Sequence, residues 1–385
     1  MRVLFYLLLV ILGLHAVKGQ EVSLVPGLLE EFRSARADTA RARLLGKISF
    51  NQINTNLDSA KLTGEQALAL ATRINDPKAL CDAHHSLGWL AATQGDLDSA
   101  EVHMNKALAL SRSSGGSSNS APELGHLGWL AQKRGDDVGA LKYFIEALGE
   151  AEAAQDSSSM ASMGYSIGTS YRKMGDFSQA LTFLNASLEM ERLLKRPNKQ
   201  GNCLIALANC YSQQRDTIRA MDHYERAARI FEAAGNNRQL GLVEENIGKL
   251  LGFTPERALP HLMLALAQYN KVDSKEDKAY IMLAIGTSQI NLGRFKEAQQ
   301  MLDAGRNLAV EIGARQLVMN YERVLGGLYA NLGDAEAVMV HYEKYLVIKD
   351  SLQSEHSQQE LARLRTAFDT ERKEKDNIIL RAQNN

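Results

Sequence analysis

"HSLGWLAATQGDLDSA", from His85 to Ala100, returns 40 residues later as "GHLGWLAQKRGDDVGA", from Gly125 to Ala140, with the same Leu-Gly-Trp-Leu-Ala core and the same Gly-Asp pair. A ruler laid on Gly88 falls next on Gly128, Gly168, Ala208 and Gly248, preceded by Leu87, Leu127, Ile167, Leu207 and Ile247. Seven residues after the first three glycines stand Gly95, Gly135 and Gly175, and twelve after them stand Ala100, Ala140 and Ala180. The next unit lacks two residues between Gly248 and Ala258, and the register resumes at Gly286 and Gly326, with turn glycines at Gly293 and Gly333. A degenerate unit with Ala60 and Ala67 precedes them all. A fixed period of this length is the mark of a repeat architecture, in which each unit buries its apolar face only against its neighbours.

The repeated positions carry their own physics. Two antiparallel helices approach closely only where small residues meet, which is the role of the ruler glycines and the alanines twelve residues on. The Gly-Asp pairs close a first helix with a residue tolerant of positive φ and place Asp96, Asp136 and Asp176 at the N-cap of a second. Asp76-Pro77 has the form of an N-cap followed by an N1 proline. Pro122 and Pro197 fall near first-helix starts and Thr254-Pro255 near a second-helix start, whereas Pro260 falls inside a helix and predicts a local kink. The expected fold is all-α: a right-handed superhelical solenoid of about eight helix-turn-helix units with a long C-terminal helix. The boundaries read as a leader over 1–19, an N-terminal capping segment over 20–37, the solenoid over 38–352, and a C-terminal helix over 353–385.

The stretch "IGTSYRKMGDFSQALTFLNASL", from Ile167 to Leu188, resembles the tetratricopeptide repeat, and the resemblance runs from about Asp38 to Leu352. The period departs from the usual length of about 34 residues, adding roughly 9 Å of helix shared between the two arms of each unit. The resemblance implies a non-enzymatic scaffold that binds a protein or peptide ligand and needs no cofactor. The tail "LARLRTAFDTERKEKDNIILRAQN", from Leu361 to Asn384, resembles the linker that follows secreted tetratricopeptide repeats in bacterial one- and two-component sensors. There it precedes a transmembrane helix and a histidine-kinase or helix-turn-helix output. That second resemblance implies the extracytoplasmic sensory part of a signal-transduction protein, joined to a membrane only through a continuation beyond Asn385. A free-standing secreted structural adaptor of an envelope assembly is the alternative.

Composition narrows the field without choosing between these. The 385 residues are 45% hydrophobic and 23% charged, with 44 basic against 45 acidic side chains, so the net charge of -1 gives no field to attract nucleic acid or an anionic membrane. Cys81, Cys203 and Cys210 include no CxxC, and Cys203 and Cys210 are spaced about 10 Å apart on a helix, too far for a disulfide without distortion. Arg2 followed by an uncharged run from Val3 to Leu14 and the small residues of Ala16 to Gly19 read as a cleaved secretory signal, which predicts a secreted or periplasmic protein. A cytoplasmic regulator with an N-terminal hydrophobic helix is the competing reading.

Each helical residue advances about 100°, so Trp89 lies about 200° from Leu87 and shares a face with Asp82 and His85. Trp129 has the same relation to Leu127. The two indoles are expected side by side on the concave wall, either packing a neighbouring unit or forming an aromatic patch for a ligand. The same face continues through Tyr165, Thr169 and Arg172, then Asn202, Asn209 and Ser212, then Glu245 and Lys249, then Tyr280 and Thr287, then Asn320 and Arg323. This mixed polar and aromatic series suits a groove that hydrogen-bonds an extended backbone. In short tetratricopeptide repeats an asparagine at the place of Asn209 contacts a peptide backbone, and the resemblance carries that role here.

Other signals reduce to structure. His103, His223, His261 and His341 share one repeat position, but stacked units lie too far apart for two of them to share a metal. "RSSGGSSNS", from Arg112 to Ser120, follows a helix rather than a strand and reads as an inter-unit loop. Glu244-Glu245 reads as a solvated face rather than an acid/base dyad. No nucleophile with a base, metal site or nucleotide motif emerges. In the tail, Leu361, Leu364 and Phe368, continued at Ile378, form a broken heptad seam, which suits a capping helix or a homodimer through a two-stranded coiled coil.

Overall fold

The computed structural model describes residues 25–53, 55–113, 120–355 and 357–358. The leader over 1–19 and the seam residues Leu361, Leu364, Phe368 and Ile378 lie outside the described residues, as does most of the loop after Arg112. The chain divides into two compact units between Asn236 and Asn237.

The N-terminal unit opens with α1 (Val25–Ser34), followed by five antiparallel pairs: α2 (Asp38–Gln52) with α3 (Leu57–Ile74), α4 (Pro77–Thr93) with α5 (Leu97–Ser113), α6 (Ala121–Lys133) with α7 (Asp137–Ala153), α8 (Ser157–Lys173) with α9 (Phe177–Leu193), and α10 (Pro197–Gln213) with α11 (Thr217–Ala233). The C-terminal unit pairs α12 (Asn237–Leu250) with α13 (Pro255–Lys271) and α14 (Lys275–Asn291) with α15 (Phe295–Glu311), and then α16 (Arg315–Leu332) meets a helix over 335–355. Among the described residues these are the expected all-α helix-turn-helix pairs, eight in number. Within each unit the first helix of a pair packs on the second helix of the pair before it, so each pair completes its neighbour's core.

The small-residue rule holds at atomic distance. A Cβ on Gly128 would stand 2.6 Å from the ring of Phe144, and one on Gly168 would stand 2.6 Å from Leu184 Cγ, so the second helix rests directly on first-helix backbone. Ala100, Ala140, Ala180 and Ala220, twelve residues beyond the ruler, are fully buried at the same crossings. The turns follow their sequence signals too. Gly95, Gly135 and Gly175 sit at φ 83°, 82° and 82°, and the Asp96, Asp136 and Asp176 side chains accept from the backbone N–H three residues on. In the fifth pair Arg215 takes the left-handed turn position at φ 61°, and Asp216 still caps α11. Asp76 caps α4 ahead of Pro77, accepting from Ala79 N–H. Pro260 stands inside α13, which nonetheless runs unbroken from Pro255 to Lys271.

The second helix also reaches back by aromatic contact. The residue 15 after the ruler stacks on the one three after it: Phe183 on Tyr171 at 5.8 Å and His223 on Tyr211 at 5.3 Å. His341 stacks on Tyr329 in the same way at 5.2 Å. The in-phase histidines are therefore intra-pair links. His103 Nδ1 lies 2.9 Å from His84 Nδ1, His261 meets Glu244 at 2.7 Å, and His341 meets the buried Glu322 at 2.7 Å. Each partner sits four residues before the ruler on the first helix.

Candidate functional site

The first helices of the N-terminal unit place five rings together. Trp89 on α4 and Trp129 on α6 meet with centroids 4.4 Å apart and planes at 40°. His126 on α6 stands edge-on to His85 at 4.4 Å and to Trp89 at 5.3 Å. Phe50 on α2 approaches His85 at 5.3 Å and the edge of Trp89 at 6.3 Å. The two indoles thus lie side by side as the repeat predicts, and both also pack on the apolar core around Leu127, Leu130 and Phe144. Packing and exposure coexist, since each indole is half-buried. The Trp89 indole N–H is buried and has no hydrogen-bond partner among the described residues, while the Lys133 ammonium lies 5.2 Å above the Trp129 ring.

Sequence reasoning missed Phe50 and His126. His126 was in view, one residue before the second Leu-Gly-Trp, but its side chain turns toward the preceding pair only because consecutive first helices are neighbours. Phe50 belongs to the degenerate first pair, where the ruler is weakest. Among these rings the imidazoles are held neutral: burial pushes His85 down to about 4, and burial with the nearby His85 charge pushes His126 down to about 3.

Farther along the same unit, α8 carries Tyr165 and Arg172, and α10 carries Asn202 and Asn209, all half-buried. Tyr165 packs on the cluster of Leu184, Leu207 and Cys210, and burial raises its hydroxyl above the usual phenol range. The Arg172 Nε–H is buried without an acceptor, and no ion pair to its guanidinium occurs among the described residues. Its charge opposes the burial that raises the pKa values of Tyr165, Cys210 and Tyr224. Asn209 is less free than the sequence implied. Its side-chain oxygen accepts a hydrogen bond from the Tyr224 hydroxyl on α11, which leaves its amide N–H groups for any further contact.

In the C-terminal unit the predicted positions behave differently. Glu245 and Lys249 on α12 satisfy each other at 2.5 Å, and Glu245 also accepts from Tyr269 at 2.8 Å, so the pair ties helices rather than waiting for a ligand. Tyr280 on α14 and Arg323 on α16 are exposed, and Asn320 is half-buried. Among the described residues no cluster of three His, Cys, Asp or Glu side chains could hold a metal ion, and no helix is long and apolar enough to cross a membrane.

Tetratricopeptide-repeat family models match residues 158–233 and residues 82–114. No curated protein sequence matches the chain. Among solved structures, a signal-transduction ATPase with numerous domains and a tetratricopeptide-repeat sensor, from Pyrococcus horikoshii, is similar with a TM-score of 0.62 at 13% identity, over 87% of this chain and 55% of that one. A Rap protein complexed with Competence and Sporulation Factor gives 0.53 at 12% identity, over 83% of this chain and 99% of that one. NprR in complex with its cognate peptide NprX gives 0.50 at 15% identity, over 84% and 89%. At these identities the likeness is one of fold.

Proposed function

We propose that this tetratricopeptide-repeat chain is a non-catalytic scaffold in signal transduction that holds an extended peptide or protein segment against the first-helix face of its N-terminal unit. The observation that carries the reading is a pair of unmet groups on the first helices: the Trp89 indole N–H and the Arg172 Nε–H, both buried and without acceptors among the described residues. An unpaired buried donor costs on the order of 1–3 kcal/mol, a cost a fold retains where a ligand relieves it. The half-buried Trp89–Trp129 pair supplies apolar area beside these donors, and the Asn202 and Asn209 amides supply groups that match a peptide backbone. The complex of NprR with NprX has a peptide on a similar fold, which agrees with this mode.

The chain's only two tryptophans both lie on this wall, so intrinsic fluorescence reports on it without a label. Titration of the full chain with peptides selected from a random heptapeptide library is expected to shift or quench the emission. Arg172→Met is expected to weaken the same peptides by at least about tenfold, roughly 1.4 kcal/mol, with no loss of melting temperature, because the guanidinium makes no internal bond. Selected peptides that bind while the emission and the Arg172→Met affinity stay unchanged would place binding elsewhere and sink the proposal.

We further propose a location outside the cytoplasm, resting on the Arg2 and Val3 to Leu14 leader pattern, with relay through the C-terminal seam at Leu361, Leu364, Phe368 and Ile378. N-terminal sequencing of the mature protein tests the location: a start near Gln20 agrees with it, and a start at Met1 contradicts it.

A further inference from the structure

The second helices offer a different surface. Between α9, α10 and α11 lies a groove of about 390 Å³, lined by the apolar Leu188, Leu204 and Ile230 and by three arginines, Arg192, Arg226 and Arg229, against one carboxylate, Glu189. The repeat itself shows how this slot is filled elsewhere. Two pairs earlier, between α5 and α7, Arg112 reaches across and binds Glu146 at 2.5 Å and Glu150 at 3.3 Å, carboxylates one helical turn apart. Adding 80 residues converts Arg112 to Arg192, Glu146 to Arg226 and Glu150 to Ile230. The arginine is kept, but its carboxylates have become a like charge and an apolar side chain.

Two like charges, Arg192 and Arg226, line the groove here where opposite charges pair at the equivalent positions. Among the described residues Arg192 and Arg226 have only exposed partners on their own helices, Glu189 at 3.0 Å and Asp222 at 3.4 Å, and such pairs hold weakly. Arg229 has no ion pair among the described residues. We propose that this groove docks an acidic amphipathic helix of a partner protein, one that presents carboxylates a turn apart in the way Glu146 and Glu150 do and lays an apolar edge on Leu188, Leu204 and Ile230. Its apolar lining and its excess of three arginines over the single Glu189 carboxylate match such a helix in polarity and sign. The surface is formed chiefly by second helices, with Leu204 of α10 beneath them, and includes none of the five rings of the tryptophan wall, so the scaffold would hold two partners at once.

The test uses the full chain and a synthetic amphipathic helix of about 15 residues, with leucines a turn apart along one edge and glutamates a turn apart beside them, together with its glutamine counterpart. The glutamate peptide is expected to bind at least about tenfold more tightly than the glutamine peptide, with an affinity that falls as salt is raised. Arg226→Glu rebuilds the Arg112–Glu146 arrangement across the groove. It should therefore keep or raise the melting temperature while bringing the two peptides to equal, weak affinity. Arg229→Gln, which disturbs no internal pair, is expected to reduce the glutamate preference in part and serves if Arg226→Glu does not fold. A glutamate preference below about threefold, its persistence in Arg226→Glu, or a change in tryptophan emission on binding would each overturn the proposal.

Discussion

Gly201→Val is expected to unfold α10 and α11, lowering stability by more than about 3 kcal/mol and shifting the melting curve of the N-terminal unit by many degrees. A Cβ at this position would stand 2.3 Å from Phe231 Cζ and 2.7 Å from both Cε atoms, well inside contact distance. Phe231 is fully buried, so its ring has no open space to move into. The local backbone preference runs the other way. Gly201 sits inside a helix, where most residues are favoured over glycine by up to about 1 kcal/mol, so a rise in stability would mean the close approach is unimportant. Gly201→Ala should cost less, about 1–3 kcal/mol, and pairing it with Phe231→Leu should recover part of the loss. Gly241 beneath Tyr269 repeats the construction in the C-terminal unit, with 2.7 Å from the missing Cβ to Tyr269 Cε1. Unfolding of stacked repeats need not be all-or-none, so amide exchange across α10 and α11 is the sharper readout. A valine variant that melts within about 2 °C of the parent would refute the argument.

That prediction rests on a feature the sequence displays openly, and others do not. The period is legible because helix crossings accept only small side chains, so Gly128 and Gly168 recur wherever a ring or a leucine must lie on backbone. The turns are legible because a left-handed residue and an N-cap are local requirements, met by Gly135 with Asp136. What the sequence hides is pairing between helices. Asn209 reads as a ligand-facing amide, yet its oxygen is taken by Tyr224, fifteen residues on. Glu245 and Lys249 read as two wall positions and are one ion pair. Arg172 reads like any other arginine, and that its Nε–H is buried without an acceptor among the described residues appears only in the folded chain. The histidines in phase show the opposite case: their spacing was visible, but their partners His84, Glu244 and Glu322 sit four residues before the ruler, a relation that appears only when the second helix is folded back on the first. Arg192 and Arg226 lining one groove become readable once α5 and α7 supply the template.

Acidification from pH 7.5 to 5 is expected to destabilise the N-terminal unit far more than an ordinary repeat stack, because burial lowers the pKa of five histidines there, His84, His85, His103, His126 and His223. His85 is pushed down to about 4 and His126 to about 3, chiefly by burial, and His84 falls to about 4 through burial and the His103 and Lys106 charges beside it. The unfolded chain binds protons at these residues near pH 6.5, whereas the folded chain resists until pH 3 to 4. Their contribution is thus intact above about pH 6.5 and is lost progressively below it, at a limit of about 1.4 kcal/mol per histidine per pH unit. At pH 5 the limit is about 2 kcal/mol each for His85 and His126, and less for the more solvated His84. Burial raises the carboxyls of Asp82 and Glu123, and these act with the opposite sign, since the folded state then takes up their protons first and offsets part of the loss. Caps such as Asp96, held low by the Ser99 contacts, stay ionised through this window and weaken only in stronger acid. The histidine share is isolated by difference. His85→Gln and His126→Gln should each flatten the dependence of melting temperature on pH between 7.5 and 5, and together they should remove most of the excess slope. Parallel pH profiles for the parent and the double variant would show instead that the ring cluster of Phe50, His85, Trp89, His126 and Trp129 admits a proton freely, and that its imidazoles are solvated rather than enclosed by the indoles.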